Sequence, residues 1–161
     1  MIRAAQPGDA PALVALLNHW IQKTAVTFNP LPKTEADLLE MIAAKATAGH
    51  GFFVAVEDGV LLGQASYGQF RGGLGYATCM EHSISLQPGV SGKGIGRALM
   101  ATVEDHARAA GAHQMIAGVT GENAEGQAFH ARLGYQLIAT VPQAGFKFGR
   151  FIDLCLMQKF L

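Results

Sequence analysis

The stretch Pro88-Gly-Val-Ser-Gly-Lys-Gly-Ile-Gly-Arg-Ala-Leu-Met100 carries glycines at 89, 92, 94 and 96. A strand-like run, Ala77 to Leu86, ends just before it. An apolar helical pattern, Ile95 to Ala110 and closed by Gly111, starts inside it. Glycine costs backbone entropy, so this density predicts a sharp strand-to-helix turn with the main chain left bare. The next strand-like run, from Gln114, must then return parallel to the first, because the helix crosses over between them. Bare amides at a helix start suit an anion, and Lys93 and Arg97 add positive charge. A flexible connection with two solvated cations fits the same residues.

Two phosphate motifs fail here. A P-loop needs Ser or Thr after Gly-Lys, and Gly94 follows Lys93. The dinucleotide fingerprint needs a further glycine at 97 or 99, where Arg97 and Leu99 stand.

The remaining elements read from periodicity and turn residues. Ile2 to Ala5 is a short strand. Asp9 is placed to cap a helix carrying Leu13, Leu16, Leu17, Trp20 and Ile21 on one face. Thr34 and Asp37 form a capping box for a second helix that stops near Gly49. Two apolar runs meet at Asp58-Gly59, a hairpin signal. Asn123 to Gly134 is a short helix. Two last strands, Tyr135–Val141 and Arg150–Phe160, flank a loop holding Pro142 and Gly145. The order β-α-α-β-β-β-α-β-α-β-β predicts one α/β domain over residues 1–161: a mixed, mostly antiparallel twisted sheet with helices on both faces and a central β-loop-α unit.

Composition narrows the function classes. Half of the residues are hydrophobic, and 12 basic residues balance 12 acidic ones. That is material for a core, with no basic field for nucleic acid or an anionic membrane. Two distant cysteines read as reduced thiols, and six histidines show no metal-ligand spacing, so no metal is expected. No secretory leader or membrane-spanning run is read, and a soluble cytoplasmic protein is the expectation.

Ser91-Gly-Lys-Gly-Ile-Gly96 resembles motif A of the GNAT superfamily of N-acetyltransferases, [Arg/Gln]-x-x-Gly-x-[Gly/Ala]. Asn123-Ala124 with Phe129-His-Ala-Arg-Leu-Gly-Tyr135 resembles its motif B. Met80-Glu-His-Ser83, Phe70-Arg71 and Phe146 to Leu154 resemble the phosphinothricin and methionine sulfoximine N-acetyltransferase branch. Ser91 departs from the usual Arg or Gln, which predicts weaker acetyl-CoA affinity. His130 stands where the wider superfamily has Tyr, and Ser85 where the branch often has Tyr.

The resemblance implies acetyl-CoA as cosubstrate and a small amino acid analogue, acetylated on its α-amino group, as acceptor. It also implies a homodimer. Gly92, Lys93, Gly94, Ile95, Gly96, Arg97 and Asn123 would hold the cofactor, with backbone groups of Ile84, Ser85 and Leu86 along its pantetheine arm. Glu81 would act as general base and His130 as proton donor. Substrate would meet Phe70, Arg71, Gly72, Gly73, Glu81, His82, Ser83, Lys147 and Arg150, with Arg71 gripping a carboxylate.

Each residue also has a plainer reading. Alternation sets Glu81, Ser83 and Ser85 on one polar strand face, which suits a site or mere solvation. His82 points the other way in a regular strand, unless a bulge turns it. Asn123 is a helix cap. Transfer to another amine, such as a peptide N-terminus or an aminoglycoside, and a non-enzymatic CoA-binding domain are the competing functions.

Overall fold

The protein is described over residues Met1–Leu161 by a computed structural model. Ile2–Ala4 (β1) pairs antiparallel with Phe52–Glu57 (β2), and β2 with Val60–Gln69 (β3). The β2–β3 hairpin turns at Asp58 (φ 50°) and Gly59 (φ 79°), two left-handed residues in sequence, as the Asp-Gly signal requires. Antiparallel pairing continues to Cys79–Leu86 (β4). Gln114–Thr120 (β5) then lies parallel to β4. Arg150–Phe160 (β7) follows, with Gln136–Lys147 (β6) outermost, so the seven-stranded order is β1-β2-β3-β4-β5-β7-β6.

Helices cover both faces. Ala10–Lys23 (α1) and Glu35–Ala48 (α2) pack Leu13, Leu16 and Leu38 on Phe52, Val54 and Leu61. Ile95–Ala109 (α3) packs Leu99, Met100, Val103 and Ala107 on Ala65, Tyr67, Met80, Met115 and Ala117 of the opposite face. Burying each of the Leu, Val, Phe and Met side chains among these contributes about 1.5–3 kcal/mol. Ala124–Arg132 (α4) follows β5.

The Thr34 box is present in full: Asp37 N–H donates to Thr34 Oγ1 at 3.2 Å, and Thr34 N–H to Asp37 Oδ2 at 2.7 Å. Gly49 ends that helix at φ 71°. Asp9 departs from expectation. Its side chain does not cap α1: Arg3 takes both carboxylate oxygens at 2.8 Å, and Gln6 N–H donates to Oδ2 at 2.8 Å in the short turn before the helix. Pro142 also fails to end its strand. β6 runs through it with a register shift between Val141 and Gly145, which an outermost strand tolerates because one side of it carries no ladder.

Candidate active site

β4 and β5 pair only at Cys79↔Gln114, Met80↔Met115 and Glu81↔Ile116. Yet β4 runs on to Leu86 and β5 to Thr120, so the two strands diverge and leave a gap in mid-sheet. Phe70 N–H donates to Cys79 O, and Gln87 N–H to Leu62 O. Those bonds turn the odd-numbered main-chain groups of β4 toward β3 and the even-numbered ones toward β5. Ile84 lies past the last pair, so its N–H and C=O face the gap. The Leu86 carbonyl accepts the Trp20 indole N–H at 2.9 Å. Ser85 is a correction: its backbone belongs to the β3 ladder and is not free for a ligand in the gap.

The glycine loop enters α3 beside that gap. Gly89, Gly92 and Gly94 all have positive φ, at 80°, 85° and 79°. The first intrahelical bond is Ala98 N–H to Gly94 O at 3.0 Å, and no side chain caps the end. The amides before Ala98 therefore point outward unsatisfied. A Cβ built on Gly92 or Gly94 meets nothing within 4 Å, so the space before these amides is open. Lys93 and Arg97 flank it, exposed. Gly96 has a different job. Its Cβ would stand 3.2 Å from the Phe129 ring and 3.3 Å from Leu86, so its bareness lets α3 sit close to α4 and β4. Asn123 caps α4, its Oδ1 accepting Gly126 N–H at 2.9 Å. This donor-rich cradle fits the pyrophosphate of a CoA thioester.

Glu81 and Ser83 are exposed on the sheet face that carries α1 and α2. Both strands beside Glu81 present glycine there. Gly68 of β3 is its cross-strand partner. A Cβ on Gly118 of β5 would lie 3.4 Å from Glu81 Oε2. Surrounding protein desolvates the carboxylate and raises its pKa, and the Lys45 charge pulls it partly back. Lys45, from the last turn of α2, reaches over Gly68 and donates to Tyr67 O at 2.6 Å. No local pattern marks Lys45, because a lysine in a last helical turn is ordinary and only the fold brings it here.

His82 is turned away from this face. β4 has no bulge against β3, so alternation buries His82 on the α3 side, and its expected substrate contact is corrected. Its Nε2 lies 3.1 Å from His130 Nε2. His130 Nδ1 stands 2.7 Å from Gly126 O, so that nitrogen carries the proton and donates. His82 Nε2–H must then donate to His130 Nε2, leaving His82 Nδ1 buried without a partner. Burial depresses the pKa of both, His82 to about 3, which keeps the pair neutral. Both nitrogens of His130 are engaged inside the protein, so the expected proton donor is corrected to a packing residue.

Phe70 and Arg71 open the loop that leaves the Glu81 end of β3. Gln69 Nε2 braces that loop, donating to Arg71 O and Gly73 O at 2.6 Å each. Gly72 and Gly73 are exposed, with Gly73 at φ 103°. The Arg71 guanidinium lies 5.6 Å from the Tyr76 ring and has no carboxylate partner. Lys147 is another correction. It is 3% exposed, and Nζ donates to Ile21 O, Thr24 O and Thr27 O at 2.7–2.8 Å. Phe28 lies against Gly145, whose Cβ would come 2.5 Å from the ring. The chain after α1 therefore runs from the end of β4, where Trp20 binds, across to β6. Arg150 is held bidentately by Glu122, at 2.9 and 2.6 Å. No group of three or more His, Cys, Asp or Glu side chains is placed to hold a metal, and no helix is long and apolar enough to cross a membrane.

The acetyltransferase (GNAT) family model matches residues 14–135. An L-methionine sulfoximine/L-methionine sulfone acetyltransferase of Salmonella typhimurium is 37% identical over 98% of this chain and 92% of its own. A phosphinothricin acetyltransferase from Sinorhizobium meliloti, solved in complex with acetyl-CoA, superposes with a TM-score of 0.95 at 30% identity, covering 100% of this chain and 88% of that one. A ribosomal-protein-alanine N-acetyltransferase from Brucella melitensis superposes at 0.96 with 35% identity, covering 100% and 99%. With the parted strands, the bare-amide helix start and these full-length likenesses in hand, the chain belongs to the GNAT family of acetyltransferases.

Proposed function

We propose that this enzyme transfers an acetyl group from acetyl-CoA to the α-amino group of small amino acid analogues of the methionine sulfoximine, methionine sulfone and phosphinothricin type. The observation that carries this reading is the Glu81 carboxylate, standing on an open face beside the gap between β4 and β5. An α-amino group has a pKa of roughly 7.7–8.0 in peptides and must lose a proton before it attacks. Glu81 takes that proton, directly or through a water. Acetyl-CoA, when bound, supplies the acetyl thioester. The Gly92–Arg97 amides hold its pyrophosphate, and Ile84 N–H faces the place where negative charge develops. One such donor is commonly worth ~2.7–4 kcal/mol in rate. The departing thiolate needs little help, since a free thiol has a pKa of about 8.5. Arg71, in the loop at the end of this face, receives oxygens of the substrate, a task its planar fork of donors suits.

The Brucella likeness supports a second reading, transfer to a peptide N-terminus. Free-thiol release from acetyl-CoA separates the two. The expected result is turnover of methionine sulfone, methionine sulfoximine or phosphinothricin, with alanine-started peptides poor. Faster turnover of those peptides than of any of the three amino acids overturns the first reading.

We assign the outer hairpin to contact with a second copy of the chain. β6 is an unpaired edge, and Phe146, Phe148 and Phe151 on the hairpin are each more than half exposed. Sedimentation equilibrium is expected to give twice the 17.0 kDa chain mass. A mass of one chain at micromolar concentration removes this assignment.

A further inference from the structure

Lys45 is half-buried, and its only hydrogen bond goes to one neutral acceptor, the Tyr67 carbonyl. No carboxylate lies within ion-pairing distance of it: the salt bridges join Arg3–Asp9, Arg108–Asp105, Arg150–Glu122 and Lys159–Glu104. A partly desolvated ammonium with two donors unused calls for an anion. It also stands beside the reaction centre. Its Nζ would be 2.8 Å from a Cβ on Gly68, and Gly68 is the cross-strand partner of Glu81. On the other side, Glu81 Oε2 leans over Gly118. The floor beneath ammonium and carboxylate is thus bare at Gly68 and Gly118.

We propose that Lys45 is a substrate-binding residue, whose ammonium receives the α-carboxylate of the amino acid while Glu81 faces its α-amino group. An α-amino acid carries its two charged groups on one carbon. The site presents the complementary pair, a cation over Gly68 and an anion over Gly118, on the two strands that flank β4. Arg71, at the loop end of the same strand pair, is then left for the polar oxygens of the substrate side chain. His50 is the other titratable group near Gly68, its Nδ1 standing 3.8 Å from that Cβ position. It is held neutral by burial and by the Lys45 charge, so it does not compete as the anion's partner.

This inference rests on the acetyltransferase reading above, and the experiment keeps the two apart. KM and kcat are measured for methionine sulfone and for its decarboxylated amine, with wild type, Lys45→Met, Lys45→Arg and Gly68→Ala. Lys45→Met keeps the stem packing and removes the charge. The expected result is a rise of about 10- to 100-fold in KM for methionine sulfone, the worth of one charged hydrogen bond, with under threefold change for the amine. Gly68→Ala keeps the charge but pushes the ammonium aside, and is expected to raise the same KM selectively. Lys45→Arg should recover part of the loss. If Lys45 merely ties α2 to β3, both substrates suffer alike, and that result overturns the proposal. An unchanged KM for methionine sulfone in Lys45→Met overturns it too. If wild type releases no thiol with any amino acid of the panel, the acetyltransferase reading of the substrate falls first and takes this assignment with it.

Discussion

Glu81→Gln is expected to lower kcat by about 10²–10⁴-fold at pH 7, the usual contribution of a positioned general base. The amide keeps the size of the side chain and its place above Gly118, so acetyl-CoA binding should be nearly intact. The loss should depend on pH in a set direction. Glu81 works only as the carboxylate, and desolvation raises its pKa from the ordinary value while Lys45 opposes the rise. The wild-type rate should therefore climb with pH through a limb lying above the usual carboxylate range. Glu81→Gln should lack that limb. Its deficit should be greatest where the amine is protonated and should shrink as the pH passes the amine's own pKa, because free amine then arrives without help. Steady-state kinetics from pH 5.5 to 9.5 read both features. A deficit under threefold across that range would make Glu81 an ordinary polar residue of an exposed strand face.

Gly94→Val should raise the KM for acetyl-CoA by about 10-fold or more, the scale of one lost charge-assisted hydrogen bond. Two effects add. Gly94 sits at φ 79°, where a β-branched residue is strained by roughly 1–3 kcal/mol. Its Cβ also enters space that is empty to 4 Å, the space the proposed site reserves for phosphate oxygens before α3. The hydrophobic face of α3 is untouched, so the fold should survive, as thermal unfolding will report. The KM for the amine should move little. A folded Gly94→Val variant with unchanged acetyl-CoA affinity would move the cofactor away from this loop. Gly96→Val is the contrasting change: it strikes Phe129, so its cost falls on stability first.

What was legible in the sequence was local. The Asp58-Gly59 turn, the Thr34–Asp37 box, the Asn123 cap and the strand–glycine–helix unit each depend on residues within a few positions of one another. The element order followed from them, and the GNAT motifs lie on the same short segments. What stayed hidden was long-range. Lys45 looks like any lysine closing a helix until the fold lays it on Gly68. His82 and His130 stand 48 residues apart and share one hydrogen bond, which no spacing rule reveals. Lys147 reads as a loop cation and is in fact buried, because its ammonium donates to three main-chain carbonyls that replace its hydration. Pro142 reads as a break because proline interrupts most strands, and only the sheet order shows that its strand is the outermost one.

The Lys147 clamp bears on the order in which the chain folds during its own synthesis. Its ammonium joins positions 120 to 126 residues away, among the widest separations the chain can offer. Contacts of such reach form late, since the loop they close must be ordered before they reward it. Synthesis runs from the N-terminus, so Glu81 and the glycine loop emerge before β6 is present to fasten the segment after α1. A nascent chain therefore carries the segment after α1 unfastened, and the outer hairpin is the part that locks it down.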